Sequence, residues 1–194
     1  MLFRSRTQKY AENFRCYGPG QAVNTGPLYR LPFGQVFFRG VSTGAIGCLQ
    51  GMLNTYLEYG KSRVNRMHGN RAADDPLIQL TCAEVTVALD EMRTILHRNF
   101  KNLEAYVARG EIPPLKLRIE YKFHNAWVAE RCSTLALRLF KASGTAGIAA
   151  ELPFGRMLAD INVGRQHISN QFEQYGRSFG ATLFGIENNK DFVL

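Results

Sequence analysis

The chain has 194 residues, 45% of them hydrophobic, and a formal net charge of +8 at pH 7. Its length and apolar content suffice for one domain with a continuous core, and its interrupted apolar runs argue against a membrane-spanning protein. The dispersed positive charge, without zinc-ligand spacing or a basic run interleaved with aromatics, argues against nucleic-acid binding, and an anionic small ligand or cofactor phosphate accounts for the arginines equally well.

Residues 1–34 are predicted to form an irregular arm. Glycine and proline recur there too often for a long helix or strand, whereas four aromatic residues indicate packing against another surface. A long unstructured start is uncommon in an independent domain. We therefore interpret residues 1–34 as an arm or linker from a missing domain, and residues 35–194 as a helical domain.

The first predicted helix runs from about Gln35 to Met67. Small residues recur along it at three- and four-residue spacing, so another backbone can approach one side closely; they are Gly40, Gly44, Gly47 and Gly51. Such a series is usually a seam between packed helices, and a groove that faces a ligand is the alternative.

The second and third predicted helices follow the same periodicity. The second begins at Asp74-Asp75-Pro76 and runs to about Arg109, with acidic residues and proline where a helix start favours them. Its apolar residues cover more than one face, which predicts burial on two sides and hence a homo-oligomer, either a dimer or a dimer of dimers. The third runs from about Pro114 to Ala142.

The fourth predicted helix, 153–175, carries the most informative polar residues. Asp160, Gly164, His167 and Gln171 fall on one face at about 100° per residue, with Asn170 beside them. A solvated surface with a packing glycine is one interpretation, and a face for ligand approach is the other. Four long helices with short links predict an all-α, up-down four-helix bundle with an extended N-terminal arm.

Cysteine usage and the first residues bear on the compartment. Cys16, Cys48, Cys82 and Cys132 are far apart in sequence, no CxxC pair occurs, and the N-terminal segment lacks the apolar core of a secretory signal. We therefore expect a cytoplasmic protein. No metal site is predicted, because the histidines lie on separate helices or at helix ends.

Three segments together resemble the C-terminal helical bundle of the acyl-CoA dehydrogenase superfamily: PLYRLPFGQVFFRGVSTGAIGCLQGMLNTYLEYGKSR, DDPLIQLTCAE and SGTAGIAAELPFGRMLADINVGRQHISNQ. More narrowly, they resemble the flavin-dependent monooxygenase branch, the oxygenase components of two-component aromatic hydroxylases. The resemblance covers residues 25–185. Acyl-CoA dehydrogenases carry their catalytic glutamate in a Tyr-Glu-Gly-Thr setting, which is absent here, and Gly164-Arg165-Gln166-His167 occupies its neighbourhood.

The resemblance implies hydroxylation of a phenolic or other aromatic substrate through a flavin C4a-hydroperoxide. It places His167 near the flavin ring in a dry cavity, where the imidazole would hydrogen-bond the hydroperoxide or the substrate hydroxyl. It implies that Asn170 and Gln171 contact the flavin edge or the substrate. It also assigns Arg63 to the flavin phosphate across a subunit boundary, with Arg66 as the substitute because the usual Phe-Gly after that arginine is absent.

The implied partners follow from the same resemblance. Reduced FMN or FAD would be supplied by a separate flavin reductase, and the family is about twice as long, with a helical and a β-domain before the bundle. This chain is therefore expected to be a C-terminal portion that is inactive or nearly so alone. The alternatives are a non-catalytic helical oligomerisation module and an acyl-CoA dehydrogenase-type oxidoreductase.

Overall fold

A computed structural model describes residues 19–64 and 69–186 of the chain. Within these ranges lie five α-helices: α1 (Phe33–Ser62), α2 (Pro76–Ala108), α3 (Leu115–Ser143), α4 (Phe154–Gln166) and α5 (Phe172–Leu183). Short 3-10 turns precede α1 at Pro19–Ala22 and Pro27–Arg30. Helix α3 lies at the centre and packs against the other four helices. The predicted all-α, up-down bundle is confirmed, although its last helix is divided in two.

Local chemistry accounts for the helix boundaries. The Asp75 carboxylate caps α2 by accepting from the backbone N–H groups of Leu77 and Ile78, at 2.8 and 3.4 Å, which satisfies two of the unpaired donors at a helix start. Gly144 ends α3 with φ +62°, a conformation that residues with a side chain rarely adopt. The predicted bounds of α2 and α3 are therefore correct to within a residue or two.

The core fills the space between α1, α2 and α3 and is closed by α4. Its largest completely enclosed side chains come from all four helices; they include Leu49, Met52, Tyr56, Leu89, Met92, Leu135, Leu139, Phe154 and Ile161. Cys132 is buried in this core, and burial raises its pKa to about 12, so its thiol behaves as a small apolar group.

The prediction of one continuous helix over 153–175 is wrong. Helix α4 ends at Gln166, His167 adopts an extended backbone with φ −61° and ψ 143°, and a 3-10 turn at Ile168–Asn170 leads into α5. Of the residues that the sequence aligned on one helical face, Asp160 and Gly164 therefore stay on α4, whereas the others lie at the turn. Side chains of Ser169 and Asn170, not proline or glycine, mark this break.

The predicted first helix also needs correction. Helix α1 ends at Ser62 instead of Met67, and residues 65–68 lie outside the described ranges. The glycine seam fails as well: a Cβ built at Gly40, Gly44 or Gly47 would meet no atom within 4 Å in the described part of the chain. Only Gly51 borders a neighbour, with the Met157 methyl 3.8 Å from its Cβ position.

Helix α2 is apolar on two sides, as its sequence indicates. Val85, Leu89 and Met92 are buried in the core, whereas Leu77, Leu80 and Val87 are largely exposed on the opposite side. Three large aliphatic side chains along one helical line form an apolar surface that residues 19–64 and 69–186 leave uncovered. No helix in the described residues is long and apolar enough to cross a membrane.

A largely buried histidine makes stability depend on pH. Burial, with a smaller contribution from Arg98, lowers the pKa of His124 from 6.5 to about 4. Between these values the unfolded chain binds the proton and the folded chain does not, so acidification favours unfolding. We expect the free energy of unfolding to fall by about 1–2 kcal/mol from pH 6.5 to pH 4, less than the full shift implies because the ring is partly hydrated.

Urea unfolding across that pH range measures this loss. The matched variant His124→Gln lacks the titrating group, so its stability should change less over the same window. Equal slopes for the two proteins would contradict the assignment. The Nδ1 atom of His124 lies 3.0 Å from the Asn99 amide nitrogen, a donor that needs the unprotonated ring nitrogen.

Candidate functional site

The candidate site is the turn between α4 and α5, which begins at His167. In the isolated chain His167 is exposed, and its ring packs against the ring of Phe37 on α1, with centroids 5.9 Å apart. The dry cavity expected around His167 is therefore not formed by the described residues. The ring instead lies on a surface shared by α1 and the end of α4.

Ser169 contacts one nitrogen of the His167 ring twice. The Ser169 hydroxyl oxygen lies 2.6 Å from Nδ1, and the Ser169 backbone N–H donates to the same Nδ1 at 3.2 Å. The Nε2 atom makes no hydrogen bond to any described residue. One edge of the ring is thus held by the turn while the other remains available to a ligand.

Asn170 ties the turn to α1 and α4. It is 2% exposed, its amide nitrogen donates to the Gly164 carbonyl at 2.7 Å, and the Ser42 hydroxyl donates to its amide oxygen at 3.1 Å. Its backbone N–H also donates to the His167 carbonyl at 2.8 Å. Because both ends of the amide are engaged inside the chain, Asn170 is suited to holding the turn.

A buried lysine contacts the aromatic residue that is hydrogen-bonded to the turn. Lys122 on α3 is 2% exposed, and its ammonium lies 4.1 Å from the ring centroid of Tyr175 and 5.2 Å from that of Phe38. Aromatic faces attract cations in this arrangement. The hydroxyl of Tyr175 donates to the Ile168 carbonyl at 2.5 Å, so the cation, the ring and the turn form one connected unit.

An open strip of α1 lies beside this turn. One side of the helix carries, at three- and four-residue spacing, Phe37, Gly40, Gly44 and Gly47. No atom of the described residues lies within 4 Å of a Cβ built at any of these glycines. The strip begins at Phe37, which touches the His167 ring. A flat ligand could approach the helix backbone here without meeting a side chain.

Arg63 lies at the other end of α1. Its guanidinium donates from Nη1 to the Ala142 carbonyl at 2.8 Å, near the end of α3, and lies 5.5 Å from the ring centroid of Tyr59. Most of the 30-residue helix α1 separates it from Phe37, about 40 Å at 1.5 Å per residue. One chain therefore does not bring Arg63 and His167 together. Arg66 lies outside the described residues.

The remaining predicted residues have clear positions. Gln171 is half-buried at the start of α5, and its side-chain amide has no hydrogen-bond partner among the described residues. Arg165 pairs with Glu130 on α3, and Asp160 is exposed. The described ranges hold no group of three or more His, Cys, Asp or Glu residues that could bind a metal.

Sequence reasoning missed Phe37, Ser42, Lys122 and Ser169. Ser42 lies 128 positions before Asn170 in the chain, so no local pattern connects them. Lys122 lies at helical spacing between Ile119 and Ala126, which was an available indication that its charge is buried. Ser169 follows His167 by two residues. A hydrogen bond between a side chain and a backbone group at this spacing competes with helix formation.

Removing the Asn170 amide should loosen the turn. Asn170→Ala removes one hydrogen bond to the Gly164 carbonyl and one from the Ser42 hydroxyl. Each of these groups keeps a second partner, the His167 N–H and the Phe38 carbonyl respectively, so we expect the free energy of unfolding to fall by about 1–2 kcal/mol. Urea denaturation followed by circular dichroism measures the loss. Gln171→Ala, a neighbour without such bonds, should change it by less than about 0.5 kcal/mol; equal effects of the two variants would contradict this role.

Comparison with known proteins is consistent with this geometry. The family model described as "Acyl-CoA dehydrogenase, C-terminal domain" matches residues 40–172. The oxygenase subunit HsaA of a flavin-dependent monooxygenase from Rhodococcus jostii is 28% identical over 169 residues, which cover 87% of this chain and 44% of that protein. The oxygenase component of a Rhizobium FADH(2)-dependent resorcinol hydroxylase is 28% identical over 158 residues, covering 75% of this chain and 37% of that protein.

The solved structures agree. The crystal structure of 3-HSA hydroxylase from a Rhodococcus species superimposes with a TM-score of 0.83 at 25% identity, covering 94% of this chain and 46% of that one. The chain therefore spans less than half the length of the relatives it matches.

Proposed function

Because the chain belongs to the acyl-CoA dehydrogenase C-terminal domain family, we propose that it is the helical portion of a flavin-dependent monooxygenase that hydroxylates a phenolic or other aromatic substrate. The observation that carries the proposal is the position and hydrogen bonding of the His167 ring. Its ring has one nitrogen free toward a ligand, and it lies at the end of an open helical strip. Nitrogen donors of this kind suit the oxygen atoms of a reduced flavin and of a phenol.

The residues present fit a flavin at this surface. The glycines of the strip leave room for a planar ring system, Phe37 offers an aromatic face, and the side-chain amide of Gln171 is available nearby. Reduced FMN or FAD, when bound, supplies the activation of dioxygen. His167 would hydrogen-bond the reacting oxygen or the substrate hydroxyl. Since His167 is exposed in this chain alone, water must be excluded by a further part of the protein.

The position of Arg63 supports a homo-oligomer. If Arg63 and His167 serve one flavin, they must come from different subunits, because about 40 Å of α1 separates them within a chain. The exposed line of Leu77, Leu80 and Val87 on α2 supports burial against a second copy. We propose a homo-oligomer, a dimer or a dimer of dimers, in which Arg63 reaches the flavin phosphate, with Arg66 as the alternative.

The other partners follow from the class of enzyme. A separate flavin reductase would supply the reduced flavin, and the protein would act in the cytoplasm, where free cysteines such as Cys48 and Cys82 stay reduced. Dehydrogenation of an acyl thioester is the less favoured alternative, because the Tyr-Glu-Gly-Thr motif is absent.

Hydroxylation assays test the proposal. We expect the 194-residue chain, mixed with reduced FMN or FAD, oxygen and a phenol, to form little or no hydroxylated product, whereas the longer protein with its flavin-binding domains forms it. In that longer protein His167→Ala should lower the hydroxylation rate about 100-fold, within the usual range for a positioned proton donor or acceptor. Product formation, measured by chromatography, is the readout.

Two results would contradict these expectations. Unchanged hydroxylation by the His167→Ala protein, together with no flavin binding under reducing conditions, would favour the non-catalytic oligomerisation module. Reduction of an electron-accepting dye with an acyl-CoA substrate would favour the dehydrogenase. Val163→Ala, an exposed change on α4, serves as the matched control and should leave the rate unchanged.

A further inference from the structure

The contact between Ser169 and His167 determines which nitrogen of the ring carries the proton. A backbone N–H group can only donate a hydrogen bond. The Ser169 N–H donates to Nδ1 of His167 at 3.2 Å, so Nδ1 must present its lone pair. A hydrogen on Nδ1 would point at the Ser169 amide hydrogen.

The Ser169 hydroxyl donates to the same nitrogen, Nδ1 of His167. Its oxygen lies 2.6 Å from Nδ1, and because Nδ1 carries no hydrogen, the hydroxyl is the donor. Ser169 is completely buried, which leaves no water to compete for this bond. Two donors on one residue therefore converge on a single ring nitrogen.

The turn holds Ser169 in this position from three sides. Asn170, the next residue, is bonded to Gly164 and to Ser42, and the Tyr175 hydroxyl donates to the carbonyl of Ile168, the preceding residue. The ring of His167 is also packed against Phe37. Both the donors and the ring are thus positioned before any ligand binds.

We infer that Ser169 is a positioning residue that holds His167 as the neutral Nε2–H tautomer, so that the ring meets its ligand as a hydrogen-bond donor and not as a base. Nδ1 is occupied by Ser169, and Nε2 carries the hydrogen toward the open surface. The donor role rests on the proposed function, whereas the tautomer does not. Deprotonation of the substrate hydroxyl must then fall to another group.

Nuclear magnetic resonance of the 15N-histidine-labelled chain tests the tautomer directly. Long-range proton–nitrogen correlations distinguish Nε2–H from Nδ1–H, and loss of signals in His167→Gln assigns the ring. At pH 8 we expect the Nε2–H form alone for His167. A dominant Nδ1–H form, an equal mixture or protonation of both nitrogens would overturn the inference.

Substitutions at Ser169 test the cause. Ser169→Ala removes the hydroxyl but keeps the backbone N–H, so the tautomer ratio should fall about tenfold, the effect of one lost hydrogen bond. Ser169→Thr retains a hydroxyl and should restore the ratio, and Ile168→Ala, an exposed neighbour, should not change it. An unchanged ratio in folded Ser169→Ala would overturn the role of the hydroxyl, and if that variant does not fold, the wild-type spectrum still decides the tautomer.

A hydroxylation assay of the longer protein separates donor from base. Glutamine can donate but cannot act as a base, so His167→Gln should stay within about tenfold of the wild-type rate while His167→Ala loses about 100-fold. Equal losses in both variants would overturn the donor role. The spectra need neither flavin nor substrate, so a failure of the tautomer and a failure of the proposed function are distinguished.

Discussion

Lys122→Glu is expected to lower the free energy of unfolding by at least about 4 kcal/mol, which is enough to unfold many domains of this size. The ammonium it replaces is 2% exposed and lies 4.1 Å from the ring centroid of Tyr175. A carboxylate there would be buried against the negative faces of aromatic rings, without the attraction that a cation receives. Urea denaturation followed by circular dichroism measures the loss.

Two variants separate charge from packing. Lys122→Met keeps the aliphatic length and removes the cation, so it should cost only about 1–2 kcal/mol, the value of a desolvated cation–π contact. Lys116→Glu reverses a charge at an exposed position of the same helix α3 and should change stability by less than about 0.5 kcal/mol. If Lys122→Glu were as stable as Lys116→Glu, the buried-cation interpretation would be wrong.

Phe154→Ala is expected to lower the free energy of unfolding by about 3–5 kcal/mol, as for other completely buried aromatic side chains. Phe154 is 0% exposed at the start of α4, and its ring centroid lies 6.0 Å from that of Tyr56 and 5.6 Å from that of Tyr59. Removing it leaves a cavity between α1 and α4. Because α4 ends at the turn with His167, the loss should also loosen the candidate site.

Hydrogen exchange resolves the two consequences of Phe154→Ala. The global loss should appear in denaturant titration. Amides of α4 should exchange faster than those of α2, because the aromatic contacts of Phe154 are made to Tyr56 and Tyr59 on α1 and not to α2. The matched control is Val163→Ala on the same helix, because Val163 is 72% exposed and its truncation should cost less than about 0.5 kcal/mol. Comparable losses in both variants would contradict the anchoring role of Phe154.

The helices could be predicted because their causes are local. The start of α2 follows from the Asp75 cap and Pro76, and the end of α3 follows from a glycine with positive φ at position 144. Apolar residues every three or four positions mark the buried side of each helix. The same periodicity overextended the last helix, because it continues across a turn where Ser169 and Asn170 side chains replace helical hydrogen bonds.

The candidate site could be predicted only in part. His167 and Gln171 were chosen from one helical face, and both have a free polar group among the described residues. The predicted helical face is wrong, since both residues lie at a turn that divides the helix, whereas the dry cavity around His167 stays a prediction. Arg63 was expected to serve a flavin, and the structure shows it capping α3 through the Ala142 carbonyl.

By itself the sequence determined the helical bundle and the two-sided α2, because periodicity and helix caps act over a few neighbouring residues; His167 stays a candidate that its motif pointed to. Tertiary structure alone decided how the turn is held: Ser42 meets Asn170 across 128 positions, and Lys122 meets Phe38 and Tyr175 from a third helix. It also decided that Arg63 and His167 lie at opposite ends of α1. Such pairings depend on how the helices pack once they have formed. Packing brings together side chains that no local sequence pattern relates.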